Sequence, residues 1–287
     1  MLKDLLTNEY LSKLDILDMA VKKRLSQAGT AGARKSSAKG SSLEFSDFRE
    51  YTPGDDLRRV DWNGYARFGR LYTKLFNEER QAVLNIILDG SASMRFYSEK
   101  WDYAAAFAAS MAYIALNNSD MVNIFIADGG ETDKCTALSS KQSFPKAVAF
   151  LEKERTGTKT ELCRSVKPLA GERLSEGISL IISDFFSEDG YDSAVKLLRS
   201  KKQAVSLVQI LDSREVNIEE RGNVRLIDSE TKETRELELT PEMLDRYKKA
   251  LDSFRNEMRE YCIRNESGFY AFDTKTPLLA AVGDVLK

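Results

Sequence analysis

Four strand-length runs of nearly uninterrupted apolar residues constrain this chain more than any other feature: 82–88 (AVLNIIL), 121–127 (MVNIFIA), 178–183 (ISLIIS) and 204–211 (AVSLVQIL). A strand that is apolar on both faces must be covered on both, which is the condition of a parallel sheet lying between helix layers. Segments with helical spacing alternate with these runs, at 99–117, 141–154 and 190–201. Residues 132–138 read as a short further strand and 268–272 as a last one. A long amphipathic helix begins at Pro241, with Thr240 as its N-cap, and runs to about Asn265; a closing helix covers 277–286. Residues 223–239 read as an inserted β-hairpin around Glu230-Thr231-Lys232. The alternation predicts an α/β fold with a doubly wound, mostly parallel sheet flanked by helices.

The first 80 residues are of another kind. Residues 2–25 carry helical spacing (Leu2, Leu5, Leu6, Tyr10, Leu11, Leu14, Leu17, Val21, Leu25). Residues 26–42 (SQAGTAGARKSSAKGSS) are rich in Gly, Ser and Ala and read as a flexible loop. From Lys22 to Lys39 there are six basic residues and no acidic one, either a solvated loop or a contact for an acidic surface or polyanion. Residues 43–80 are dense in aromatics and charges, with a turn at 51–56 (YTPGDD) and a strand at 71–76. Arg49, Arg58, Arg59, Asp61 and Trp62 read either as ion pairs with an aromatic plug or as a partner surface. We therefore divide the chain into an N-terminal extension, 1–80, packing on an α/β domain, 81–287.

Composition narrows the chemistry. The chain has no histidine, which excludes Ser-His-Asp and Cys-His catalysis and most catalytic zinc sites. A net charge of −2 is unlike that of a dedicated nucleic-acid binder. Cys135, Cys163 and Cys262 are far apart with no C-x-x-C pair, so buried reduced thiols are expected. No apolar stretch reaches the roughly 20 residues of a membrane span, and the mixed-charge N-terminus is unlike a signal peptide. Together these features point to the cytoplasm.

In an open parallel sheet, ligands bind beyond the C-terminal strand ends, where the strand order switches. Asp89-Gly90-Ser91-Ala92-Ser93 follows the first apolar run and Asp184 the third. Between them lies the hydroxyl-rich stretch Arg155-Thr156-Gly157-Thr158-Lys159-Thr160-Glu161. Serine and threonine hydroxyls with carboxylates are hard oxygen donors. They suit Mg²⁺, or Mn²⁺ or Ca²⁺, and not Zn²⁺ or Cu²⁺. Neutral direct ligands leave the metal much of its charge, so it attracts an acidic side chain from another protein.

D-G-S-A-S-M after an apolar strand resembles the first motif of the metal-ion-dependent adhesion site of von Willebrand factor A domains. The upstream run EFSDFREYTPGDDLRRVDWNGYARFGRLYTKLFNEER resembles the signature of the domain of unknown function 58 family, as does Ile182-Ser183-Asp184-Phe185-Phe186. The resemblance implies a von Willebrand factor A-like domain with metal ligands at Asp89, Ser91, Ser93, Asp184 and a threonine. Thr160 matches the threonine position, with Thr158 as the alternative; Lys159 stands where the family usually has glycine. It further implies an adaptor or chaperone-like partner of a MoxR-type AAA+ ATPase, acting on a client protein and not an enzyme.

Two other functions compete. A phosphatase using Asp89 as nucleophile would need an acid/base Asp two residues on, where Ser91 stands. An anionic-polymer binder would work through residues 22–39, a patch that the rest of the chain does not extend.

Overall fold

The computed structural model describes residues 2–27, 43–78, 81–128, 131–153, 162–171, 174, 176–187, 190–227 and 234–287. Helices α1 (Leu2–Leu5) and α2 (Asn8–Gln27) open the chain. Strand β1 (Leu43–Glu50), helix α3 (Trp62–Phe68) and strand β2 (Tyr72–Glu78) follow. The remainder alternates: β3 (Val83–Asp89), α4 (Ala92–Arg95), α5 (Ser98–Asn117), β4 (Met121–Asp128), β5 (Glu131–Leu138), α6 (Phe144–Glu152), α7 (Leu162–Gly171), β6 (Gly177–Ser183), α8 (Asp192–Ser200), β7 (Gln203–Leu211) and α9 (Ser213–Val216). The hairpin β8 (Gly222–Ile227) and β9 (Thr234–Leu239), the long helix α10 (Pro241–Arg264), β10 (Gly268–Asp273) and α11 (Leu278–Val285) complete it.

Six strands form one sheet in the order β10-β7-β6-β3-β4-β5. All neighbours are parallel except β4 and β5. The chain leaves β3 towards β4 on one side and later returns to β6 on the other, so the switch in strand order lies between β3 and β6. The doubly wound, mostly parallel α/β architecture expected from the sequence, with its inserted hairpin, is the one observed.

The apolar runs are buried as a two-sided sheet requires. Leu84, Ile86 and Leu88 of β3 face a core shared with Val122, Ile124 and Ile126 of β4 and the alanine-rich face of α5. Ile87 faces the opposite core, with Phe125, Ile181, Leu207, Val195 and Leu198 of α8, and Met258 and Cys262 of α10. Cys135, Cys163 and Cys262 are buried and unbridged, as expected. Burial raises the Cys262 thiol to about 11, so it stays protonated and inert. At α10, Thr240 accepts a hydrogen bond from Met243 N, the cap that the sequence predicts.

Contacts divide the chain into a body, Met1–Gly32 with Ala82–Lys287, and a second unit, Ala33–Gln81. The first helices thus go with the body, whereas the sequence reading grouped them with the extension. The cause is packing against α5: Leu2 and Leu14 are buried in its core, and a hydrogen bond joins Tyr10 Oη and Ser110 Oγ at 2.9 Å.

In the second unit, β1 and β2 pair antiparallel, with a register shift between Phe45 and Asp47. The YTPGDD turn is closed by Asp55, which accepts from Thr52 N and Thr52 Oγ1 and pairs with Arg49 at 2.7 Å. Trp62 is not a plug: it is 55% exposed, and its ring meets the edge of Tyr65 within its own helix. No described helix is long and apolar enough to cross a membrane. Most of the basic segment, residues 28–42, lies outside the described residues.

Because Leu14 is fully buried, Leu14→Ala should destabilise the whole body by about 2–5 kcal/mol. Urea unfolding followed at Trp101, with Trp62 replaced by Phe, should show the body's transition shifted to lower denaturant; an unshifted transition would mean that α2 is not part of that core.

Candidate functional site

Strands β3 and β6 end side by side at the switch point, and their last residues carry the polar groups. Asp89 closes β3 and is 1% exposed. Gly90 follows because nothing larger fits: a Cβ there would come within 2.8 Å of Ile126 Cγ2, while Gly90 N donates to Ala127 O at 2.7 Å. The chain then turns at fully buried Ser91 into the short helix α4.

Asp89 organises this turn. Its Oδ1 accepts from Ser91 N at 3.0 Å and its Oδ2 from Ser183 Oγ at 2.6 Å, so its carboxylate ties the end of β3 to the end of β6. Ser91 Oγ and Ser93 Oγ stand 3.1 Å apart. On the β6 side, Phe185 takes a left-handed backbone conformation, φ +62°, which costs a bulky residue energy. That twist lets Phe185 N donate to Ser183 Oγ at 2.9 Å and Phe186 N donate to Asp184 Oδ1 at 3.1 Å. Gln209 Nε2 fixes the Asp184 carbonyl at 3.0 Å and is itself oriented by Arg255 Nε at 2.9 Å.

The sequence reading missed the group that holds the site's charge. Lys100, in the first turn of α5, is fully buried. Its Nζ donates to Asp184 Oδ2 at 2.8 Å and to Glu215 Oε1 at 3.0 Å, and lies 3.4 Å from the Ser93 carbonyl. A cation in a first helical turn is opposed by the helix dipole, and a buried one by desolvation. Burial lowers the Lys100 pKa, but the Asp184 and Glu215 carboxylates overcome this and leave it raised, so the amine stays charged. Glu215 is in turn half of a capping box: its Oε2 accepts from Asp212 N at 2.6 Å. The D-x-x-E spacing of Asp212 and Glu215 is a readable signal for that half. Lys100 has none, because Ser98-Glu99-Lys100-Trp101-Asp102 reads as a solvated helix start.

Asp89 is met instead by the amide of Ser91 and the hydroxyl of Ser183. Burial, and next the charge of Asp184, raise its pKa to about 6. The donors at this edge are carboxylates and serine hydroxyls, the set that hard cations take. Cis ligands around Mg²⁺ lie about 3 Å apart, close to the observed Ser91–Ser93 hydroxyl separation. Among the described residues no three acidic or cysteine side chains cluster to hold a metal, so a metal here would depend on the hydroxyls. The residues fit such an ion: Ser91 and Ser93 as direct donors, Asp89 and Asp184 behind them. Of the expected ligands, the structure brings together Asp89, Ser91, Ser93 and Asp184; Thr160 and its alternative Thr158 lie outside the described residues.

Fold and edge together define a class: a doubly wound α/β domain whose hydroxyls and carboxylates gather at the switch point. Residues 47–257 match the family described as protein of unknown function DUF58, and the chain belongs to that family. Uncharacterized proteins of Mycobacterium tuberculosis and Mycobacterium bovis are each 25% identical over 225 residues, covering 76% of this chain and 71% of theirs. Among solved structures, the conserved hypothetical protein BatB from Bacteroides thetaiotaomicron is similar at 14% identity and a TM-score of 0.43, over 71% of this chain and 96% of that one. An aerotolerance-related membrane protein from Bacteroides fragilis is similar at 17% identity and a TM-score of 0.45, over 71% and 98%.

The raised Asp89 pKa gives a pH prediction. An acid with a folded pKa above its unfolded value binds a proton preferentially in the folded state, so it lowers stability as pH rises from about 4 to about 6. Without metal, Asp89→Asn should remove this loss and be more stable than wild type at pH 7 by up to a few kcal/mol. Thermal melts in chelator at pH 5 and pH 7 check it: the variant's advantage should be larger at pH 7.

Proposed function

We propose that this chain is a metal-dependent protein-interaction module, an adaptor or chaperone-like partner of a MoxR-type AAA+ ATPase, and not an enzyme. The observation that carries the reading is the convergence of Asp89, Ser91, Ser93 and Asp184 on the switch point of the sheet, with the two hydroxyls 3.1 Å apart. Ser91 and Ser93 would hold Mg²⁺, Mn²⁺ or Ca²⁺ directly. Asp89 and Asp184 would orient its water ligands, since each carboxylate oxygen engaged by a donor keeps a second lone pair. The ion supplies a Lewis-acidic coordination position, which an acidic side chain of a client or partner protein fills.

The resemblance of D-G-S-A-S-M to an adhesion-site motif supports a binding role, and the ATPase as partner is what the resemblance of the upstream run implies. The state of Asp89 weighs against a phosphatase: the residue is 1% exposed and both its oxygens are engaged by Ser91 and Ser183, which withholds it from an in-line phosphoryl group. A cytoplasmic site of action belongs to the same proposal.

The test is calorimetric titration of Mg²⁺ and Mn²⁺ into wild type and a Ser91→Ala/Ser93→Ala variant, followed by binding of a purified MoxR-type ATPase with and without chelator. Metal heat in the wild type only, and ATPase binding lost with chelator or in the variant, is the expected result. ATPase binding that persists equally in both conditions would remove the metal from the mechanism.

A further inference from the structure

We propose that Lys100 is the resident cation of this edge and a positioning residue for the metal: it keeps Asp184 out of direct coordination and holds the metal affinity of the isolated protein down. The inference rests on the metal reading above and goes beyond it, because it assigns to a residue outside the expected ligand set control over when the site fills.

Three observations carry it. Lys100 is fully buried in a helical first turn, where both desolvation and the helix dipole oppose its charge, so its carboxylate partners are what hold it there. Asp184 Oδ2 accepts from Lys100 Nζ at 2.8 Å and Oδ1 from Phe186 N at 3.1 Å, so each Asp184 oxygen already has a donor and keeps one lone pair, enough for a metal-bound water. The same Nζ lies 3.4 Å from the carbonyl of Ser93, which puts a fixed positive charge directly behind one of the two hydroxyl donors. Glu215 closes the arrangement from α9, its other oxygen capping Asp212 N.

The consequence is electrostatic. Asp184 and Glu215 share Lys100, so an arriving divalent ion meets a fixed positive charge at the edge where Asp89 is held by the amide of Ser91 and the hydroxyl of Ser183. The fixed charge of Lys100 repels the ion and weakens its binding, and a carboxylate from a second protein that coordinates the ion offsets that repulsion. The site therefore binds metal more weakly alone than in a complex, and Lys100 sets how far tight binding depends on the partner's acidic group.

The experiment titrates Mg²⁺ and Mn²⁺ by calorimetry into the full chain, comparing wild type with Lys100→Met and Lys100→Arg. Lys100→Met should bind metal at least tenfold more tightly, with the gain lost when Ser91→Ala/Ser93→Ala is added. Lys100→Arg should stay near wild type. A merely structural lysine predicts the opposite, since loosening the site weakens metal binding. Lys100→Met leaves the buried Asp184 and the half-buried Glu215 without their cation, so Lys100→Met/Glu215→Gln is the second arm, with the same expected gain; if either variant folds only on adding Mg²⁺, that rescue is the same result. Wild type binding metal with Lys100→Met equal or weaker overturns this inference and leaves the metal reading intact. No metal heat in any variant overturns both.

Discussion

The structure depends on the complete burial of β3. All seven residues from Val83 to Asp89 are inside, including the carboxylate at the end. A strand covered on both faces must lie in the middle of the sheet, and its neighbours β4 and β6 must then run to either side. The exit of β3 therefore falls at the switch in strand order, where the chain can open a crevice. Asp89 is at that exit because the backbone places it there, and it stays buried because Ser183 from the neighbouring strand end gives it a hydrogen bond. Gly90 completes the constraint, since the close approach of β4 leaves no room for a side chain.

Charge at this edge is divided unevenly. Asp184 and Glu215 share an internal cation in Lys100, whereas the partners of Asp89 among the described residues are dipoles: the amide of Ser91 and the hydroxyl of Ser183. A buried carboxylate so placed favours whichever positive species can reach it, a proton or a metal ion. The left-handed Phe185 is the backbone counterpart of this imbalance. Strain of that kind persists where surrounding contacts over-determine it, and here Phe185 is itself buried against Tyr191 while its amide holds Ser183.

What could be read in advance follows from how local each signal is. The apolar runs declare buried strands because both faces of each are covered, and the observed strands lie within a residue or two of the expected ones. The cap at Thr240 is legible because it depends on residues three apart. Strand β1 was not assigned, and its bulge explains why: the register shift between Phe45 and Asp47 breaks the two-residue alternation that would have marked it. The N-terminal helices were legible as helices, but not as part of the body, since a helical stripe does not say which surface it covers.

By itself, the sequence determined the succession of the six strands of the main sheet, the absence of histidine chemistry, and the residues Asp89, Ser91, Ser93 and Asp184 at and after the strand ends. Those are consequences of periodicity and composition, which each segment carries alone. The tertiary structure decided which of those ends meet and what charge surrounds them. Lys100 and Asp184 are 84 positions apart, and Lys100 and Glu215 are 115 apart. A lysine in a helical first turn looks solvated until the fold closes over it, because burial belongs to the packed sheet and helices together and not to any stretch of chain.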